Sequence, residues 1–261
     1  SKANQCFVVE SGTLTIKDDS QAPKETVTPG GDKLYGNKAT LENDILTYYI
    51  TKSTAYGTST TETLEQHTVN LTGAGKILCK EDSFQAIKVE TGGTLELTSG
   101  VLQNTGGKHI VYVDGGTESN ENGETVDKET LTMTGGYIVG GGRDGDPGGG
   151  IYVQSGKVNI RGGVVAANRG SSGGGIFFKN GTLNISDGAV TGNEVFNGHT
   201  DNGGGIYVDN GTLNLSGGYV TNNYKKCDCQ DCQDDVNNTH GGGGIALANN
   251  SAMNMTGGYV T

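Results

Sequence analysis

Residues 203–221 read GGGIYVDNGTLNLSGGYVT, and this stretch decides the fold. It holds three short apolar runs, at 206–208, 213–215 and 219–221, in which apolar and other residues alternate. A period of two is typical of a β-strand with one buried face. The runs are too short for helices, and Gly or Asn-Gly separates them, which indicates tight turns. The stretch therefore predicts three strands joined by turns.

The same pattern returns along the chain. Close or loose copies occur at residues 7–16, from Ala86, from Ile110, and at 148–166, 173–191 and 242–261. A repeat of this size is one supersecondary unit stacked on itself. Successive repeats are expected to pair in parallel, about 4.8 Å apart, through right-handed connections. The predicted fold is all-β: a right-handed single-stranded parallel β-helix (solenoid) with three strands per coil and corner insertions.

The alternation also assigns the side chains that point into the core. In the best copy these are Ile206, Val208, Leu213, Leu215 and Val220. Their equivalents in the last copy are Ile245, Leu247, Met253, Met255 and Val260. Identical positions in successive repeats are therefore expected to stack as aliphatic ladders.

The repeats suggest how the chain is divided. Residues 1–16 form an initial coil, 17–67 an insertion or lateral subdomain with a strand at 46–50, and 68–261 the remaining coils. The last coil has no polar cap after Thr261, so we expect further coils or a neighbouring subunit to cover it.

Insertions fall at one corner, after the third strand, at residues 168–173, 193–203 and 223–241. Asn168, Asn193 and Asn223 share one turn position there, where we expect a left-handed backbone. An acidic stretch at 115–130 lies instead between a first and a second strand, and its polarity predicts a surface excursion.

Composition excludes two classes of partner. The formal net charge is −11, and phosphate binding needs basic patches, so nucleic acid is not an expected partner. No run of 18 apolar residues occurs, so this segment is not expected to span a membrane. The 47 glycines show no collagen period and are explained by turns.

Two outward rows are candidate binding surfaces. The first strands present Tyr112, Tyr152, Phe177 and Tyr207 in register. These rings either bind a ligand such as a sugar or a partner protein, or they stabilise neighbouring strands. The second strands present a polar row, which is either a hydrogen-bonding surface or a solvated face; it comprises Glu96, Thr132, Asn159, Asn184, Asn214 and Asn254.

Two further groups are candidates for metal binding. Cys227, Cys229 and Cys232 lie in the longest insertion, followed by His240. They are candidates for disulfides in an extracellular loop, for a zinc site, or for free thiols. Asp144 and Asp146 flank a glycine and either bind Ca²⁺ or form an Asp-Gly turn. No cofactor is expected, Ca²⁺ and Zn²⁺ being the alternatives that these residues leave open, and no catalytic motif is visible.

The repeat resembles right-handed parallel β-helix proteins of the pectate-lyase-like superfamily. More narrowly, it is similar to the repeat regions of large bacterial surface proteins and autotransporter-type adhesins. The resemblance implies a secreted or cell-surface protein that presents loops from one corner to glycans, or to host or partner proteins.

Two alternatives remain for the function. One is a polysaccharide lyase or glycoside hydrolase on the same scaffold, which would place carboxylates, Ca²⁺ ligands and a basic residue on one outer face. The outward rows here are instead Tyr/Phe and Asn/Thr, which favours a non-catalytic role. The other alternative is a subunit of an extracellular filament built by end-to-end stacking.

Overall fold

The computed structural model describes residues 7–20, 23–56, 59–80, 84–143, 145–196, 203–226 and 243–261. Within these ranges the chain forms strands and turns and no helix. The expected all-β class is therefore confirmed, and so is a large sheet of parallel strands.

Most strands align in three parallel rows, and several long strands contribute to two rows. The first row comprises the first half of β1 (Phe7–Ile16), β7 (Ile87–Leu97), β9 (Val111–Asp114), β14 (Ile151–Ser155), β17 (Ile176–Phe178), β20 (Ile206–Asp209) and β23 (Ile245–Ala248). The second row comprises β1, β7, β12 (Glu129–Met133), β15 (Lys157–Ala166), β18 (Gly181–Thr191), β21 (Gly211–Thr221) and β24 (Ala252–Val260). The third row comprises β6 (Lys76–Cys79), β8 (Val101–Asn104), β13 (Tyr137–Val139) and the second halves of β15, β18, β21 and β24.

The inward side chains of all three rows pack in one core. In the repeat of β20 and β21, this core includes Ile206 and Val208 from the first row, Leu213 and Leu215 from the second, and Val220 from the third. Each is 0% exposed. The predicted aliphatic ladders are thus confirmed in these repeats, because strands in register bring equivalent side chains together.

The last repeat differs from this expectation. Leu247 and Met255 were assigned to the core, but they are 44% and 50% exposed. Among the described strands, β23 pairs only with β20 and β24 only with β21, so these side chains have neighbours on one side only.

Four strands form a separate antiparallel sheet, in the order β2 (Lys24–Pro29), β5 (Ser59–Asn70), β4 (Ile45–Tyr56) and β3 (Thr40–Glu42). The strand expected at 46–50 lies within β4. This sheet packs on the outward face of the third row in a second core; its members include Leu46, Tyr48, Ile50 and Val69 from the sheet and Val139, Val164 and Ala189 from the row.

The asparagines at the insertion corner correct a prediction. Asn168, Asn193 and Asn223 are not left-handed; the positive φ falls one residue earlier, at Ala167, Gly192 and Asn222. The three asparagine side chains are instead turned inward and buried. Their amides bond to one another from repeat to repeat, so they act as core residues of the turn.

The chain continues from these asparagines into a short third sheet that the sequence pattern did not predict. β16 (Arg169–Gly170), β19 (Glu194–Phe196) and β22 (Tyr224–Lys226) pair in parallel. The insertions thus start with the same geometry, as their shared corner suggested.

Candidate functional site

The aromatic row forms one continuous stack on the first row of strands. Ring centroids lie 5.2 Å apart for Tyr112 and Tyr152, 5.0 Å for Tyr152 and Phe177, and 5.4 Å for Phe177 and Tyr207. The planes are tilted by 18° or less, so the rings face one another. The faces of the inner rings are therefore covered by their neighbours, and a sugar could reach only their edges.

The stack is extended by a buried histidine that the sequence did not single out. His109 stacks on Tyr112 and Tyr152, with centroids at 5.6 and 5.2 Å. Burial, and then the charge of Lys108, lowers the pKa of His109 to about 4. Burial also raises the pKa of both tyrosines. The histidine is therefore neutral at physiological pH and serves the stack as an aromatic ring.

The second row carries a chain of side-chain amides on its outward face. Asn254 donates to Asn214, Asn214 to Asn184, and Asn184 to Asn159, each from Nδ2 to Oδ1 at 2.8 Å. Parallel register places one amide on each strand. The exposure of these residues increases along the row, from Asn159 at 3% to the exposed Asn254.

A hairpin lies over this row. It consists of β10 (Thr117–Ser119) and β11 (Thr125–Asp127), which belong to the acidic excursion at 115–130. Thr182, two repeats further along, donates a hydrogen bond of 2.7 Å to the Asp127 carboxylate. At the base of the hairpin, Lys128 Nζ donates to the carbonyl of Thr91 at 2.8 Å. The excursion is thus fastened to the sheet at both places.

Between the hairpin and the second row lies a groove of about 680 Å³. Its lining combines hydroxyls, amides, three carboxylates and one ammonium group, with Val126 as its apolar residue; the members are Thr117, Glu118, Thr125, Val126, Asp127, Glu129, Lys157, Thr182, Asn184 and Asn214. We take this groove as the candidate functional site.

Two of the groove carboxylates are tied to the framework. Asp127 accepts the bond from Thr182, and Glu129 accepts one from Thr132 at 2.7 Å. These bonds hold the two carboxylate groups in place. The arrangement offers many fixed donors and acceptors and suits the recognition of a ligand rich in hydroxyl groups.

Sequence reasoning identified the amide row and the acidic excursion separately, but not the groove between them. The hairpin folds across two repeats, and no local pattern specifies that contact. One sequence feature could have indicated the groove: the excursion at 115–130 is the one insertion placed directly before a second strand.

The metal and disulfide candidates fall mostly outside the described residues. Cys227, Cys229, Cys232, His240 and Asp144 all lie there. Asp146 is described, and its carboxylate pairs with Lys108 at 3.3 Å and Arg143 at 3.0 Å. In the part of the chain that the structure describes, no group of three or more His, Cys, Asp or Glu residues is placed to hold a metal ion.

Comparisons of the chain with protein-family models, with curated proteins and with solved structures find no match. Over the described ranges, no helix is long and apolar enough to cross a membrane.

Proposed function

We propose that the parallel rows wind into a right-handed β-helix with three strands per coil. Two observations support this architecture. The side chains of all three rows share one core, and each repeat adds one parallel neighbour to each row. Right-handed winding follows from the strong bias of parallel crossover connections.

We propose further that this scaffold is a non-catalytic extracellular or cell-surface protein, of the adhesin type that its repeat resembles. It binds its ligand, a glycan or a surface protein, in the groove between the hairpin and the second row. The observation that carries this proposal is the groove of about 680 Å³ with its ordered polar lining. Ligand sites are usually concave, and polar groups placed in them fix the orientation of the ligand.

The groove favours binding over catalysis. General acid–base work needs a carboxyl group free to exchange protons with the ligand. Here Asp127 and Glu129 accept hydrogen bonds from Thr182 and Thr132, which hold the hairpin and the strand in place. Of the three carboxylates in the lining, Glu118 is the one for which the structure shows no such bond, whereas glycoside hydrolysis uses a pair of carboxyl groups.

Association at the last described strands is a separate proposal. Leu247 and Met255 are exposed there, on strands with one described neighbour each. Unpaired strand edges template pairing, so a neighbouring subunit or further coils would cover them. Light scattering tests this: a monomer at all concentrations would argue against association between copies.

The groove is tested by filling it. Asn184→Trp places a large side chain on its floor, and Asn254→Trp places the same side chain on the same amide row outside it. Both proteins should be produced in bacteria. Asn184-Ile-Ser and Asn214-Leu-Ser are glycosylation triplets, and a glycan attached to either asparagine would occupy the groove.

Binding to panels of glycans and cell-surface proteins should be lost in Asn184→Trp and retained in Asn254→Trp. Equal binding by both variants would place the ligand elsewhere. Release of shortened or unsaturated sugars from any panel member would contradict the non-catalytic role.

A further inference from the structure

We infer that the groove takes a linear, neutral glycan chain that lies across the strands, along Asn184 and Asn214. This inference rests on the proposal that the groove is the binding site. It goes further by deriving the chemical class and the direction of the ligand from the amide row and the charges around it.

The amides of the row are only partly used by one another. An asparagine side chain has two N–H donors and an oxygen with two lone pairs. Asn214 donates once to Asn184 and accepts once from Asn254; Asn184 likewise donates to Asn159 and accepts from Asn214. Each therefore retains one donor and one lone pair, and both side chains line the groove.

The row repeats this donor–acceptor pair at the spacing of neighbouring strands, about 4.8 Å. An extended pyranose chain has nearly one sugar unit in that length, and each unit offers hydroxyls that both donate and accept. An extended peptide instead presents side chains on one face about 6.6 Å apart. The peptide would lose register after one strand, whereas the glycan would keep it over the strands of the groove.

Electrostatics exclude anionic glycans, and the free donor and lone pair of each amide match uncharged hydroxyls. The groove carries the carboxylates of Glu118, Asp127 and Glu129 against the single ammonium group of Lys157. The whole chain is also negative, at −11. Uronate-rich or sulfated chains would be repelled. Each carboxylate can instead accept hydrogen bonds from two sugar hydroxyls.

The direction follows from the hairpin. Asp127 reaches Thr182 across two repeats, so the hairpin runs beside the amide row and forms a wall on one side. A linear chain parallel to the wall contacts both Asn184 and Asn214. A chain along a single strand would contact only one of them.

The test uses defined oligosaccharides of two to six units. The neutral probes are β-1,4-linked glucose, mannose and xylose oligomers. The anionic probe is oligogalacturonate, and the cationic probe is oligomeric glucosamine. The peptide probe is a polar extended dodecapeptide. Titration calorimetry and ligand-observed NMR measure binding to the wild type and to Asn214→Ala, with Asn254→Ala as the matched control outside the groove.

We expect at least one neutral series to bind, with affinity rising with length and little affected by salt. Asn214→Ala should weaken binding about tenfold, the effect of losing one or two hydrogen bonds. Asn254→Ala should change it less than twofold. A folded Asn214→Ala protein, checked by circular dichroism, excludes misfolding as the cause of the loss.

The outcomes distinguish a wrong ligand class from a wrong binding site. If an anionic, cationic or peptide probe binds with the same sensitivity to Asn214→Ala and the neutral series do not, the ligand class is wrong and the groove is still the site. If the neutral probes bind equally to Asn214→Ala, Asn184→Trp and the wild type, or no probe or surface protein binds at all, both fail.

Discussion

The side-chain oxygen of Asn193 accepts two hydrogen bonds from Asn168, one from its backbone N at 3.1 Å and one from its Nδ2 at 3.0 Å. Asn223 accepts the same pair from Asn193, at 3.1 and 2.9 Å. Each amide also donates to a carbonyl of an earlier repeat, as Asn193 does to Val165 at 2.9 Å. A buried polar chain therefore locks the corner at which the insertions leave the sheet.

Removing the middle member of this chain should be costly. Asn193→Ala deletes four hydrogen bonds. The buried donors of Asn168 and the carbonyl of Val165 lose this partner, whereas Asn223 keeps the bond from the backbone N of residue 193. Buried groups left unsatisfied cost about 1–3 kcal/mol each, so we expect a loss of a few kcal/mol in the free energy of unfolding. Urea denaturation measures it.

The control for that variant is Asn254→Ala, at the exposed end of the other, outward row. Asn254 and its partner Asn214 keep access to water, so we expect a loss below about 1 kcal/mol. Similar losses for the two variants would show that the inward amides have no special role.

The turn residue before Asn193 provides a second prediction. Gly192 has φ +61, and an added Cβ would lie 2.4 Å from Ala39 Cβ and 2.5 Å from Ala39 N. Gly192→Ala should therefore push residues 24–70 off the third row and expose them to limited proteolysis. Ala167 occupies the same turn position one repeat earlier, with φ 54. Ala167→Gly relaxes that conformation, so it should leave the cleavage pattern unchanged. Resistance to protease in both variants would contradict the docking contact.

The aromatic row is expected to stabilise the strands and not to bind the ligand. Phe177→Ala removes two ring contacts, with Tyr152 and Tyr207, and should cost about 1–3 kcal/mol of unfolding free energy. Phe177→Tyr keeps the stack and should cost much less. Neither change should alter oligosaccharide binding, measured at a temperature where both proteins are folded. Loss of binding in Phe177→Ala alone would return the site to the aromatic row.

His109 predicts a dependence of stability on pH. Its pKa is about 4 in the folded chain against an ordinary value of 6.5, because burial disfavours the charged form. Between these values the unfolded chain binds more protons, so stability falls as pH decreases from 6.5 to about 4 and is unaffected by this group above 6.5. The loss attributable to His109 is about 3 kcal/mol at most.

The variant His109→Phe keeps a ring in the stack and cannot titrate. Thermal unfolding of both proteins from pH 4 to pH 8 isolates the histidine from all carboxylates. As the pH decreases from 6.5 to about 4, the variant should become more stable relative to the wild type. A constant difference would mean that His109 is not buried in its neutral form.

The amino-acid pattern alone was enough to predict the parallel rows. Alternation in residues such as Ile206, Val208, Leu213 and Leu215 specifies which side chains face inward, and glycines mark the turns between them. Both signals are local, so they can be read without knowing the contacts. The aromatic register of Tyr152 and Phe177 follows from the same repeat, because equivalent positions must align when repeats stack.

Tertiary structure decided what those rows support. It turned Asn193 inward, where its partners lie one repeat away on either side, and moved the left-handed residue to Gly192. It also laid the hairpin with Asp127 against Thr182 and so created the groove. Such contacts join residues far apart in the chain, and their energy depends on burial and hydrogen-bond geometry that no short stretch of sequence contains.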